Sequence, residues 1–262
     1  MEGNVISRVD GFLMRNVANF LENNINEGLF VPLFQPIYFK NINNPYGLDV
    51  TFKWMDNRSV EDTFLSLSEF GLSSLFFKMF IKKIATVIDD LPKSVRYIKI
   101  NITINDFLRS SFINDIIPLL KICRENYLFL AIALTVNRRS PNDMKNIFLL
   151  MKNIEKCKNL GVKIFVNNYG KNFCIEEDVI KIIMPDALKL SCNLLVNYES
   201  DEFIRAFFER VMLLKHTYKF DLIVNDIIDV TDFYLMKDIG LSYFQGDLFG
   251  CPDNLENIFL TY

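Results

Sequence analysis

The chain of 262 residues is 50% hydrophobic with a formal charge of −3, enough for one sizeable core and no electrostatic case for direct nucleic-acid binding. Its five Cys residues show no CxxC spacing and His216 is the single histidine, which excludes a His-rich metal site and fits free thiols in a reducing cytoplasm better than a disulfide frame. No apolar run approaches the ~18–20 residues of a membrane span, and the start MEGNVISRVDG lacks a basic stretch before an apolar block, so neither a membrane span nor a signal peptide is expected.

Val5, Val9, Phe12, Leu13, Val17, Phe20, Leu21 and Ile25 recur at helical spacing and predict an amphipathic helical segment over residues 1–29, packed on the main body. Two β-rich runs follow, Phe30 to Phe39 and Leu48 to Trp54, joined by the turn-rich Asn41 to Gly47, which reads as a hairpin. Residues from Val60 to Leu91 read as helix with an interruption near Gly71, its buried stripe being Phe76, Phe77, Phe80, Ile81 and Ile84. From there strand and helix alternate. Strands are predicted at Val95 to Thr103, Tyr127 to Thr135, Val162 to Val166, Ala187 to Leu190, Asp221 to Val224 and Leu241 to Phe244. Helices are predicted at Asn105 to Arg124, Pro141 to Leu160, Glu176 to Ile183, Ser200 to Tyr218, Val230 to Ile239 and in the tail after Pro252. Eight strands with helices between the later ones imply an α/β fold of the (β/α)8 barrel type, residues 30–262, irregular only in its opening hairpin.

Eight short motifs occur in this order. Leu33 to Ile37 is similar to a YQPI opening, and Gly47 to Trp54 lies where GxEALxRW belongs. Ile100 to Thr103 resembles VNLS, Ile132 to Val136 falls on LELTE, and Val166 to Gly170 on LDDFG. Asp186 to Ser191 falls on DxLKID, Val224 to Ile228 on AEGVE, and Phe244 to Gly250 with Pro252 on QGYLFGxP. Together they resemble the EAL domain, a bacterial family that hydrolyses cyclic di-GMP. The resemblance runs from about Phe34 to Pro252. It implies a modified TIM barrel of EAL type whose first strand is antiparallel to the rest, which accounts for the opening hairpin.

The resemblance implies metal-assisted phosphodiester hydrolysis, with two divalent cations held by anionic oxygens. Asn101 matches a metal-ligand Asn, Lys189 the Lys near the attacking water, and Gln245 the Gln of the closing motif. Asp49 stands where the first ligand Glu belongs, one methylene shorter. Ala133 and Val136 replace the two Glu of LELTE, Asn167 and Asn168 the Asp pair, and Ser191 the Asp of the KID segment. Asn225 and Ile228 replace the Glu residues of AEGVE. One carboxylate beside Lys189 cannot neutralise two dications. The expectation is a site without metal, without cofactor and without catalytic residues, hence no enzyme. Asp226 or Asp229 supplying carboxylates from elsewhere is the alternative.

Gln35, Lys53, Asn101, Lys189 and Gln245 are the candidate remaining contacts to a nucleotide. Lys53 stands where the family's Arg grips a phosphate; it retains the charge and loses the bidentate fork. Weak or no cyclic di-GMP binding is expected. The eroded acids also resemble those of degenerate EAL proteins of enteric bacteria, some of which bind the FlhD subunit of the flagellar activator FlhDC. That resemblance implies a repressor of motility acting by protein-protein binding; a non-hydrolysing cyclic di-GMP receptor is the alternative. Composition suggests a cytoplasmic protein, and Lys171 to Phe173, where the family's dimer loop starts Thr-Gly, suggests a monomer. Phe203, Phe207, Phe208, Val211 and Leu214 either face the core or form an exposed patch.

Overall fold

The computed structural model describes residues 3–56, 66–135 and 144–260. The first helix, α1 (Gly3–Asn26), buries Leu21 and Ile25 near its end, whereas Val17 and Phe20 are exposed. Among the described side chains of the predicted apolar stripe, those of the last turns reach the body; the side chains of Val5 to Leu13 lie outside the described residues.

Strands β1 (Phe30–Phe39) and β2 (Gly47–Trp54) form the predicted antiparallel hairpin. Its outer face, Phe30, Phe52 and Trp54, meets Phe76 and Phe80 of α2 (Ser73–Ala85), with the Phe52–Phe76 ring centroids 4.7 Å apart. Such ring pairs add ~0.5–1.5 kcal/mol each beyond the apolar area they bury. The predicted break is real: residues 66–69 are helical, Gly71 takes φ +69, and α2 begins two residues later. Only glycine adopts that turn at no steric cost. The earlier part of that predicted helix, from Val60, lies outside the described residues.

Next come β3 (Tyr97–Thr103), α3 (Phe112–Glu125), β4 (Phe129–Thr135), α4 (Met144–Asn159), β5 (Lys163–Tyr169), α5 (Glu177–Ile183) and β6 (Ala187–Ser191). Helix α6 (Glu202–Tyr218), β7 (Asp221–Asn225), α7 (Val230–Asp238), β8 (Tyr243–Phe244) and α8 (Leu255–Leu260) complete the chain. The helix predicted from Asn105 to Arg124 is two pieces. Thr103 caps a single turn, Ile104–Phe107, by accepting from the Asp106 amide at 3.1 Å, and α3 starts afresh at Phe112. Arg109 joins the pieces by reaching both Asp106 (3.3 Å) and Asp115 (3.1 Å).

The eight strands close a barrel in sequence order. Strand β1 is antiparallel to both β2 and β8, and all other neighbours are parallel. Side chains alternate between two cores. Leu48, Val50, Phe52 and Trp54 of β2 belong to the layer under the helices. Ile37, Tyr97, Ala131, Ala133, Phe165, Ala187 and Ile223 fill the lumen. Among the described residues, no helix is long and apolar enough to cross a membrane. One close approach sits at the closing turn: a Cβ on Gly246 would overlap the backbone of Ile227, so the turn after β8 needs glycine.

Candidate functional site

At the C-terminal end of the barrel the lumen-facing positions of different strands converge. Asp49 comes from β2, Lys99 and Asn101 from β3, Asn167 from β5 and Lys189 from β6, with Gln245 directly after β8. Parity puts Lys99 and Asn101 there together: Ile98, Ile100 and Ile102 face the helices, so their alternates face inward.

Lys99 is the centre of the group and is 1% exposed. Its ammonium lies 2.7 Å from Asp49 Oδ2, 3.1 Å from Asn101 Oδ1 and 3.3 Å from Asn167 Oδ1. Three N–H donors thus have three acceptors. The amides close the ring: Asn101 Nδ2 donates to Asp49 Oδ1 at 3.0 Å, and Asn167 Nδ2 donates to Asn101 Oδ1 at 2.7 Å. Asp49 Oδ2 also accepts from Lys189 Nζ at 3.0 Å and from Gln245 Nε2 at 3.1 Å. Gln245 Nε2 reaches Gln35 Oε1 at 2.6 Å, and Gln35 Nε2 donates to Asp247 Oδ1 and the Gly250 carbonyl.

One carboxylate faces two ammonium groups, so the cluster carries surplus positive charge. Burial pulls the Lys99 pKa down to about 7, against the attraction of Asp49 and with the repulsion of Lys189. Burial pushes the other way on Asp49, but Lys189 and Lys99 overcome it and hold its carboxyl well below the usual carboxylate range.

Of the residues singled out in the sequence, Asp49, Asn101, Asn167, Lys189, Gln245 and Gln35 are brought into this network. Lys53 is exposed four residues beyond Asp49 on β2 and makes no bond to it. Ala133 pairs with Asn101 across β3 and β4 and is wholly buried, offering only a methyl group to the lumen. Asn168 takes φ +55 at the register shift between β5 and β6, and it is exposed outside the cluster. Asn225 donates to Asp226 Oδ1 at 2.6 Å, and Ile228 is 66% exposed. Val136 lies outside the described residues. Ser191 donates to Asp226 Oδ2 at 2.6 Å, while Asp229 caps α7 by accepting from the Asp232 amide. Among the described residues, no three His, Cys, Asp or Glu side chains gather as metal ligands.

Lys99 is the residue that motif reading passes over. A lysine two positions before a lumen-facing Asn has the same parity, and that is the signal for it. Beside the cluster lies a cavity of about 210 Å³, lined by Gln35, Lys189, Asn225, Asp226, Gly246 and Asp247 among others. The α6 face divides as follows: Phe207, Phe208, Val211 and Leu214 are buried, whereas Phe203 is 61% exposed and packs edge-on to Phe173.

The sequence matches the EAL domain family over residues 18–252. No curated protein sequence matches it. An EAL domain protein from Listeria monocytogenes EGD-e superposes with a TM-score of 0.74 at 18% identity, over 92% of this chain and 96% of that one. The FimX EAL domain of Xanthomonas citri, in complex with cyclic di-GMP, gives 0.74 at 13% identity over 95% and 97%. The Bacillus subtilis YkuI protein, with an EAL domain in complex with substrate cyclic di-GMP and calcium, gives 0.71 at 20% identity over 90% of this chain and 58% of that one. At these identities the likeness carries the fold.

Proposed function

The chain belongs to the EAL domain family, and on that premise we propose that it is a non-hydrolysing member that works as a protein-binding regulator. One observation supports the non-hydrolysing half above all: the Lys99 ammonium sits among Asp49, Asn101 and Asn167. Asp49 and Asn101 stand at metal-ligand positions in the resemblance, and Asn167 where a metal-binding Asp would be. The donor set does not fit a divalent cation. Its single carboxylate is already neutralised by two ammonium groups, the Ala133 position supplies no donor, and a dication beside Lys99 would meet a like charge at hydrogen-bond range.

By its resemblance to the degenerate enteric proteins, the proposed partner is FlhD of the flagellar activator FlhDC, and the outcome is repressed flagellar gene expression and motility; we take the protein to act as a cytoplasmic monomer. Two experiments test the two halves. Purified protein with cyclic di-GMP and excess Mg²⁺ or Mn²⁺ is expected to release no linear dinucleotide; metal-dependent turnover would overturn the non-hydrolysing half. Co-expression with FlhD is expected to give co-elution on size exclusion, and separate elution at micromolar concentrations would remove this partner.

The second reading, a non-hydrolysing cyclic di-GMP receptor, draws on the surplus positive charge at the mouth. Lys189 lines the adjacent cavity, and the exposed Lys53 lies on the same strand as Asp49. Calorimetric titration with cyclic di-GMP, with and without Mg²⁺ or Ca²⁺, separates the readings: saturable heat at micromolar ligand makes the protein a receptor, and flat traces leave the protein partner.

A further inference from the structure

A second cavity lies at the other end of the barrel. Tyr97, Phe129, Lys163, Ala187, Asp221 and Tyr243 each begin a strand, and all line one pocket of about 440 Å³. That volume falls in the ~300–1,000 Å³ range of small-molecule sites.

Its chemistry is specific. The wall is aromatic: Tyr97 meets Phe165 edge-on at 5.4 Å and Tyr46 at 5.9 Å, and Tyr46 meets Tyr243 at 5.8 Å. Phe129 is 54% exposed at the rim. The charged lining holds Arg96, Lys158, Lys163 and Lys219 against two carboxylates, Asp186 and Asp221. Lys163 is taken by Asp186 at 2.8 Å, and Lys158 donates to the Met184 carbonyl. Arg96 and Lys219 have no carboxylate partner among the described residues.

A second, independent feature points the same way. Tyr97 is 7% exposed, its ring is held against Gly47, where a Cβ would overlap it, and its hydroxyl is buried with no hydrogen-bond partner. An unmet buried hydroxyl costs about 1–3 kcal/mol. Burial holds that phenol protonated well above its usual range, so it is a standing donor.

The geometry points to a ligand site at the N-terminal end of the barrel for a small planar aromatic anion. Its ring lies among Tyr46, Tyr97 and Tyr243, its oxygen accepts from the Tyr97 hydroxyl, and its charge is met by Arg96 and Lys219. This site is separate from the Lys99 cluster and stands whether or not the protein binds FlhD or cyclic di-GMP.

The test is calorimetric titration of the full chain with two aromatic anions, 1-naphthoate and adenosine 5′-monophosphate, and with two non-aromatic ones, inorganic phosphate and cyclohexanecarboxylate. The expected result is one equivalent of an aromatic anion bound, the two arms telling a carboxylate from a nucleotide. Arg96→Glu, an exposed change, is expected to weaken it at least tenfold. Tyr97→Phe is expected to weaken it while leaving the Tm of the ligand-free protein equal or higher, because it removes an unmet polar group. The proposal is overturned if neither aromatic anion gives saturable heat at millimolar concentration. It is overturned equally if the non-aromatic anions bind as well, or if Arg96→Glu binds undiminished.

Discussion

Lys99 stands directly across from Asp49 in the β2–β3 pairing, and their charged groups meet at 2.7 Å, both buried. The attraction is local to two neighbouring strands, but the carboxylate also balances Lys189 from the far side of the lumen. Among the described residues, Asp49 is therefore the one carboxylate paired with these two ammonium groups.

Replacing Asp49 by Asn leaves both ammoniums without a counter-charge. Stripping one partner from a buried pair costs about 3–5 kcal/mol, and that loss is expected for Asp49→Asn by urea denaturation. Adding Lys99→Met removes one of the stranded charges and should recover roughly half or more of it. A double variant no more stable than the single would mean that the pair is not coupled.

The same pair sets a pH dependence. Lys99 titrates near 7 in the folded protein against its usual 10.5, so between those values the unfolded chain binds more protons and stability rises with pH. Above about 9 the buried Cys123 and Cys157 thiols, pushed up to about 12, act in the opposite sense, since their protonated-state stability is lost as pH climbs. Asp49, depressed below its usual 3.8, adds stability that is lost as pH falls through the acid range. The urea midpoint should climb from pH 7 to 9 in the wild type and climb less over that window in Lys99→Met, where the lowered Lys158 still contributes in the same sense.

Metal affinity should return only when the ammonium is removed. A variant with Ala133→Glu and Asn167→Asp, but with Lys99 intact, is expected to show no rise in Tm with Ca²⁺ or Mg²⁺. Adding Lys99→Ser should produce one, and a metal at a hundred times its Kd stabilises by about 2.7 kcal/mol. A rise with Lys99 still present would show that the lysine does not exclude the ion.

Gly246→Ala should destabilise by about 1–3 kcal/mol, the usual range for forced overpacking, because the added methyl meets the Ile227 backbone and not a yielding side chain. Thermal unfolding reads this directly. An unchanged Tm would mean that the closing turn moves freely, which would also loosen Gln245.

The barrel was legible because each element carries its own period. The stripe Phe76 to Ile84 could only be a helix face, and the apolar run before Asn167 suits a strand covered on both sides. The acid-to-amide changes were legible too, position by position. What sequence did not yield were the consequences of closure. Asn167 and Asn168 look equivalent as a motif pair, yet as consecutive strand residues one faces inward and one out. Parity with Asn101 signals that Lys99 faces the lumen, but its bond to Asn167, 68 residues away, appears only on closure. The N-terminal pocket belongs to six strand starts and to no motif.

The closing strand has only two residues, and its register joins β1 through Tyr38–Phe244 and Phe39–Tyr243 alone. The Gln35–Gln245 bond next to that seam links residues 210 positions apart. Sheet closure therefore waits until nearly the whole chain is made and collapsed, a costly long-range step that slows folding. Until then β1 has one side of its backbone unpaired, an open edge that invites pairing with other chains. A protein truncated before Tyr243 should accumulate as aggregate in the cell, and the seam between β1 and β8 is where amide exchange in the finished barrel should begin.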